Sequence, residues 1–355
     1  MKLYHILPIY GQKDWMIYKD YLQELTDLKE FFQDIEYIIV NPEEKYQIDY
    51  VNDYVFVTDI SKPQINFHDS FIKQFKKENR IAYIYESMEH MIYQWKIPYV
   101  KEQYNLIFTS YNPMVKEMKS CWWTPAVHLH VDDLKIESKK INFCAISPIQ
   151  TLALKYVERS NRIKLIQEYC QKRPDIKVYG TPEWITIIPE INYAGLCGKQ
   201  IEKITAIEKV NSKCQLLASY KFIIVFENLF LDGYITEKLS ETLYSSSLVI
   251  YYGPPNIEEM YPNLFDNCLI NGHKYSVDNI INMMNNMSKN EYNARITKML
   301  SIRNKIDYYT SSKHVKNFIC RKIRHIMFGE ENIDKDPYSL DSVNKKLKDV
   351  QQISK

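Results

Sequence analysis

Short apolar runs rich in Ile, Val, Tyr and Phe recur through the first third of the chain: KLYHILPIY from Lys2, EYIIVN from Glu36, DYVFVTDI from Asp53, RIAYIYE from Arg80, YNLIFTS from Tyr104 and PAVHLHV from Pro125. Each is bounded by polar residues, the signature of a strand. Between them lie stretches of helical period, clearest over 15–32, where Tyr18, Leu22, Leu25 and Phe32 fall on one face. Strand alternating with helix predicts a mainly parallel sheet covered on both sides. The segment VDDLKIESKKI from Val131 is charged and aperiodic, and the alternation then begins again: INFCAIS, a helix over about 151–173, IKVYG, a helix around 200–218, FIIVFE, a helix from 234, LVIYYG and NCLING. Two α/β sets in tandem are therefore expected, with the boundary at 131–141. Such sheets bind ligands beyond the carboxyl ends of their strands.

Length supports two cores, since 355 residues exceed what one usually serves. Charge narrows the partners. With 46 basic against 44 acidic residues the net charge is +2, which gives no general attraction to nucleic acid. The seven cysteines are scattered, odd in number and free of any C-x-x-C pair, so a reducing, cytoplasmic setting is expected. Neither a signal peptide nor a membrane-spanning run is apparent. From 289 onward the chain reads as helical, and KHVKNFICRKIRHIMF from Lys313 to Phe328 carries five Lys or Arg and no acid. Two readings fit that segment: a closing helix that packs Phe318, Ile319, Ile323 and Met327 while solvating its cations, and a peripheral contact with a membrane surface. The first is the default. Residues 329–355 form a polar tail.

The densest chemistry lies in FENLFLDGYITEKLSETLYSSSLVIYYGPP, from Phe226 to Pro255. FIIVFE is apolar enough for an interior strand, which puts Glu227 and Asn228 at its ligand-facing end. Asp232 is positioned to cap the next helix, and Gly233 allows an unusual backbone path. A helix beginning near Tyr234 would place Tyr234, Glu237, Lys238 and Glu241 on one face. Its N-terminus, with a lysine in the first turn, suits a diphosphate, and Glu237 suits the vicinal hydroxyls of a ribose. A nucleotide sugar supplies both groups. Spacing alone fits equally well an ordinary solvated helix with a routine cap.

Tyr220-Lys221-Phe222, Phe226-Glu227-Asn228, Tyr234-Ile235-Thr236-Glu237-Lys238 and Tyr252-Gly253-x-Pro255 stand in the order and spacing of the α-1,3/4-fucosyltransferase signature. The block resembles glycosyltransferase family 10, strongly over about 218–262 and more weakly over about 80–180. That resemblance implies an α/β GT-B fold of two Rossmann-like domains facing across a cleft: residues 1–135 for the acceptor, 136–310 for the nucleotide-sugar donor, and 311–355 as closing helix and tail. It implies an inverting transferase, α-1,3-fucosyltransferase-like, that moves L-fucose from GDP-fucose to a glycan hydroxyl. Tyr234 and Lys238 then match positions at the donor diphosphate, Glu237 matches the ribose ligand, and Glu227, Asn228 and Gly253 line the same pocket. The family arginine matches Arg162 first and Arg159 second. The family base matches Glu86, although Tyr85-Glu86-Ser87 stands where Gly-Glu-Asn is usual. Ser245-Ser246-Ser247 replaces a small Ala-Gly pair.

No cofactor is expected beyond the donor substrate, and a divalent metal would at most stimulate. The D-x-D match, Asp334-Lys335-Asp336, falls in the polar tail, and His128 and His130 lack a third ligand at suitable spacing. Two alternatives stay open: a GT-B transferase for another nucleotide-linked deoxysugar, and a non-catalytic nucleotide-sugar or glycan-binding module.

Overall fold

A computed structural model describes residues 1–6, 28–41, 44–58, 70–84, 100, 102–109, 120–122, 142–149, 157–196, 206–230, 234–235, 237–260, 268–310 and 312–329. The described residues fall into two compact units, one from Met1–Ala126 with Thr310–Ser342, the other centred on Val127–Tyr309. Each is built on a parallel sheet.

In the first unit the strands are β1 (Lys2–Ile6), β2 (Glu36–Ile39), β3 (Tyr54–Thr58), β4 (Arg80–Ile84), β5 (Leu106–Thr109) and β6 (Ser120–Trp122). They lie in the order β2-β1-β3-β4-β5-β6, with every neighbouring pair parallel. Near-continuous apolar runs are what a sheet buried on both faces requires. Tyr4, Ile6, Val55, Val57, Ala82 and Ile107 pack on one face with Phe71, Ile72 and Phe75. Leu3, His5, Phe56, Ile81 and Phe108 are buried on the other. The order reverses between β1 and β3, the switch point of this sheet.

The second unit's strands are β7 (Asn142–Ile149), β8 (Lys177–Gly180), β9 (Asn192–Gly195), β10 (Tyr220–Phe226), β11 (Leu248–Tyr252) and β12 (Ile270–Asn271). Their order, β12-β11-β10-β7-β8-β9, is the doubly wound 3-2-1-4-5-6 arrangement, with its switch point between β7 and β10. Helices α1 (Val157–Lys172), α2 (Trp184–Ile187), α3 (Ala206–Ala218), α4 (Glu237–Tyr244), α5 (Ile257–Met260), α6 (Val277–Asn286) and α7 (Lys289–Thr310) complete it. Even-numbered positions of β10 and β11, from Phe222 to Tyr252, pack against Ile166, Tyr169 and Cys170 of α1 and Val277, Ile280 and Met284 of α6. The other face meets α3 and α4.

The last described helix, α8 (Ser312–Phe328), belongs to the first unit. Ile319, Cys320, Ile323 and Met327 are buried, Arg324 makes two hydrogen bonds to the Asp34 carboxylate at 2.7 and 2.8 Å, and the Tyr54 hydroxyl donates to the Ile326 carbonyl. From Ile319 onward its apolar face is thus occupied by the protein body, while the side chain of Phe318 lies outside the described residues. Among the described residues no helix is long and apolar enough to cross a membrane.

Several local readings change. The helix expected from 234 begins at Glu237, and Tyr234 and Ile235 precede it as non-helical residues. β-Branched Ile235 and Thr236, just after Gly233, disfavour helix, so Tyr234 does not share a helical face with Glu237 and Lys238. Strands β6 and β9 and helix α6 were not expected. The predicted strand at 125–131 and nearly all of the predicted helix over 15–32 lie outside the described residues.

Candidate active site

β10 ends at Phe226, and the chain beyond it enters the switch point of the second sheet. Side chains alternate along a strand, so Val225 and Glu227 point to the α4 side together with Tyr251 of the neighbouring β11. The Glu227 backbone N–H donates to the Tyr252 carbonyl at 2.9 Å, which continues the ladder by one residue and fixes that orientation. The Glu227 side chain is wholly buried. A buried carboxylate is costly unless it is paired. Here the Tyr251 hydroxyl donates to Oε1 at 2.8 Å, and Lys238 Nζ lies 3.7 Å from Oε2.

Lys238 comes from the first turn of α4, where the amphipathic pattern buries Leu239 and Leu243 and leaves the lysine at the edge of the site. Its side chain is 14% exposed. From the opposite side of the sheet, Arg162 on α1 reaches the same point. Its Nη1 donates to the Glu227 carbonyl at 3.3 Å and to Asn228 Oδ1 at 3.4 Å, with the residue 1% exposed. The helix after β7 and the helix after β10 thus each deliver one cation to the carboxyl end of β10. That is the place an open α/β sheet reserves for ligand.

Gly253, after β11, has a definite steric reason. A Cβ built there would lie 2.1 Å from Cε1 and 2.6 Å from the hydroxyl of Tyr251, so only glycine leaves room for the ring that reaches Glu227. His273 supports the same turn: its Nε2 lies 3.0 Å from the Gly253 carbonyl, and its ring meets Phe230 and Tyr252 edge-on. A carbonyl only accepts, so Nε2 carries the proton. Burial holds the His273 pKa below the usual imidazole range, partly offset by that bond.

The structure therefore brings together Arg162, Glu227, Asn228, Lys238 and Gly253. Tyr234 is buried just ahead of α4. Glu237 opens α4 and Arg159 lies on α1, but both side chains lie outside the described residues, as do Asp232, Glu86, His128, His130, Asp334 and Asp336. Among the described residues no cluster of His, Cys, Asp or Glu could hold a metal ion. Tyr251 and His273 were missed. The signal for Tyr251 was available: two tyrosines at the end of LVIYY must point to opposite faces, and one of them necessarily shares the face of Glu227.

Comparison with known proteins decides the family. The model of "Glycosyltransferase family 10 (fucosyltransferase) C-term" matches residues 150–339, more than half of the chain. The chain belongs to glycosyltransferase family 10. The family match covers β10, α4 and β11, the elements that build this site. Among curated relatives, GDP-fucose protein O-fucosyltransferase 3 of Danio rerio is 49% identical over 49 residues, which is 14% of this chain and 11% of that protein. The match thus spans about a tenth of the relative's length. A solved α1,3-fucosyltransferase superposes with a TM-score of 0.51 at 14% identity, covering 89% of this chain and 92% of that one. A structure of α1,3-fucosyltransferase with GDP gives a TM-score of 0.50 at 13% identity, covering 88% and 92%. At that identity they establish the fold, which is GT-B: two α/β units on parallel sheets.

Proposed function

We propose that this family 10 member transfers L-fucose from GDP-fucose to a hydroxyl of a glycan acceptor, with inversion at the anomeric carbon. The observation that carries the proposal is the convergence of Arg162 and Lys238, from two different helices, on the carboxyl end of β10 beside Asn228. Two cations held at a switch point match what a departing nucleoside diphosphate needs. As the bond between the anomeric carbon and the β-phosphate oxygen breaks, its electron pair goes to GDP. Arg162, Lys238 and the N–H groups opening α4 stabilise that charge, each charge-assisted bond contributing about 1.5–3 kcal/mol.

Glu237, beside Lys238 in the first turn, would accept hydrogen bonds from the ribose hydroxyls. Asn228, Tyr234 and Gly253 would line the donor pocket. In the first unit, Glu86 follows β4 by two residues and would take the proton of the acceptor hydroxyl as that oxygen attacks. Stabilisation by side chains and helix N–H groups makes a metal dispensable in this scheme. The cytoplasmic setting is part of the same proposal.

The donor is tested by the stabilisation that ligands confer. In a panel of GDP, UDP, CDP and dTDP with their sugars, GDP and GDP-fucose should give the large rise in melting temperature. A larger rise with another nucleotide would replace the donor assignment. The base is tested separately: Glu86→Ala should lower turnover by about 10² to 10⁴ with GDP affinity intact. Full turnover in that variant would remove Glu86 from the mechanism.

A further inference from the structure

Glu227 carries the wrong sign for a site that takes a diphosphate, yet it is wholly buried at the centre of that site. Its two oxygens face different groups. Oε1 accepts a firm 2.8 Å hydrogen bond from Tyr251, whose ring lies in the space that Gly253 leaves open. Oε2 faces the Lys238 ammonium at 3.7 Å, an ion-pair distance beyond hydrogen-bond range. The carboxylate is therefore anchored to the sheet, and the lysine is attached to it only loosely.

We propose that Glu227 is a positioning residue: it serves as the counter-ion of Lys238 while the donor is absent, and Lys238 exchanges that carboxylate for diphosphate oxygens when the donor binds. The inference rests on the donor reading given above. A largely buried lysine without a negative neighbour has no fixed position before the donor arrives, and a displaced ammonium faces the departing charge less well in the transfer step. An anchored carboxylate fixes that position, while competing with the diphosphate for the lysine. That contact is long, and a diphosphate offers shorter charge-assisted bonds in its place. The Tyr251 anchor keeps Glu227 from following the lysine toward the ligand.

A double-mutant cycle on the full-length chain tests this, with GDP affinity measured by titration calorimetry, GMP as the control lacking the second phosphate, and melting temperatures recorded throughout. Glu227→Gln keeps the volume and an acceptor for Tyr251 but removes the competing charge. GDP should then bind about three- to tenfold tighter, GMP should change less, and kcat should fall because Lys238 is no longer held in place. In a Lys238→Met background the same Glu227 substitution should leave GDP affinity within about twofold. An equal change in both backgrounds, or weaker binding in step with a lower melting temperature, overturns the proposal. If Glu227→Gln does not fold, Tyr251→Phe goes through the same cycle. It frees the carboxylate to follow the lysine, so GDP should bind about threefold weaker with Lys238 present and unchanged without it. Equal effects would again overturn the proposal. Wild-type protein with no affinity for GDP would instead overturn the donor reading, and this inference with it.

Discussion

The two sheets have the same kind of switch point and fill it with opposite chemistry. In the first unit the reversal between β1 and β3 holds His5, wholly buried, with Nδ1 2.5 Å from the Tyr37 hydroxyl and Nε2 2.7 Å from Thr58 Oγ1. Burial pushes the His5 pKa down to about 3, so this group is neutral at physiological pH. In the second unit the reversal between β7 and β10 holds Arg162, Glu227 and Lys238. One end is a satisfied neutral network, the other a cluster of charges. Topology therefore marks two candidate positions, and only the side chains say which of them handles an anion.

The sharpest way to break that contrast is to remove a charge from the second site. Lys238→Met should lower kcat/KM for GDP-fucose by about 10² to 10³, the usual loss when one preorganised group facing a developing charge is deleted. Substituting His5 should leave that ratio within about twofold. Initial-rate measurements at matched folded concentration would show whether the loss is confined to the charged site. Comparable losses in both variants would mean the two positions do not differ in function as argued.

At the neutral site the effect should appear in stability. His5→Ala removes one buried and one part-buried hydrogen bond and leaves a cavity, so unfolding free energy should fall by about 2–3 kcal/mol in urea titrations. The pH dependence follows from the sign of the shift. The unfolded imidazole titrates near 6.5 and the folded one near 3. Between those values the unfolded chain binds a proton that the folded chain refuses, so stability falls as pH falls, by up to about 1.4 kcal/mol per pH unit. His5→Asn should flatten this part of the stability profile between about pH 6.5 and 4. An unchanged slope would mean that His5 is not held neutral.

Gly253→Ala addresses the support of the charged site. The new methyl would occupy the place of the Tyr251 ring, and relief of that overlap should cost about 1–2 kcal/mol of stability. The displaced hydroxyl would also leave Glu227. If the variant is as stable as the parent and binds GDP equally well, the steric account of Gly253 is wrong.

How much of this was legible depends on where each signal resides. Interior strands announce themselves, because burial on both faces demands runs such as FIIVF and LVIYY, and those became β10 and β11. Two of the four edge strands do not. β9 is the half-buried NYAG and β6 the short SCW, and neither carries the composition that marks a strand. Helix α6 did have a signal: Ser276 as N-cap accepting from the Asn279 N–H, followed by Val277, Ile280 and Met284 at helical spacing. At the site, residue types at a strand end and in the first turn of the next helix located Glu227, Asn228 and Lys238, whereas Arg162 needed the family likeness to single it out from Arg159. Alternation along LVIYY shows that one of its two tyrosines shares the face of Glu227, but which one, and that it makes contact, is settled only once the pairing of β10 with β11 is known.

The smallest effect separates scaffold from site within the second unit. After α4 the chain turns through Ser245-Ser246-Ser247, where Ser245 Oγ donates to the Thr242 carbonyl at 2.6 Å and Ser247 Oγ to the Tyr220 carbonyl at 2.7 Å. Ser246 sits between them at φ 52°, a left-handed conformation that glycine adopts without a steric penalty. The outer serines are thus fixed by their hydrogen bonds, and the middle one bears the strain. Ser246→Gly should shift the urea midpoint upward by an amount worth about 0.5–1 kcal/mol, with an unchanged slope, because strain relief outweighs the added freedom of the unfolded chain. GDP affinity should not move, since the turn lies at the opposite end of α4 from Lys238. A gain in stability accompanied by altered GDP binding would show that the charged switch point draws on the strain of this turn, and its contrast with the self-contained network around His5 would then extend to the whole of α4.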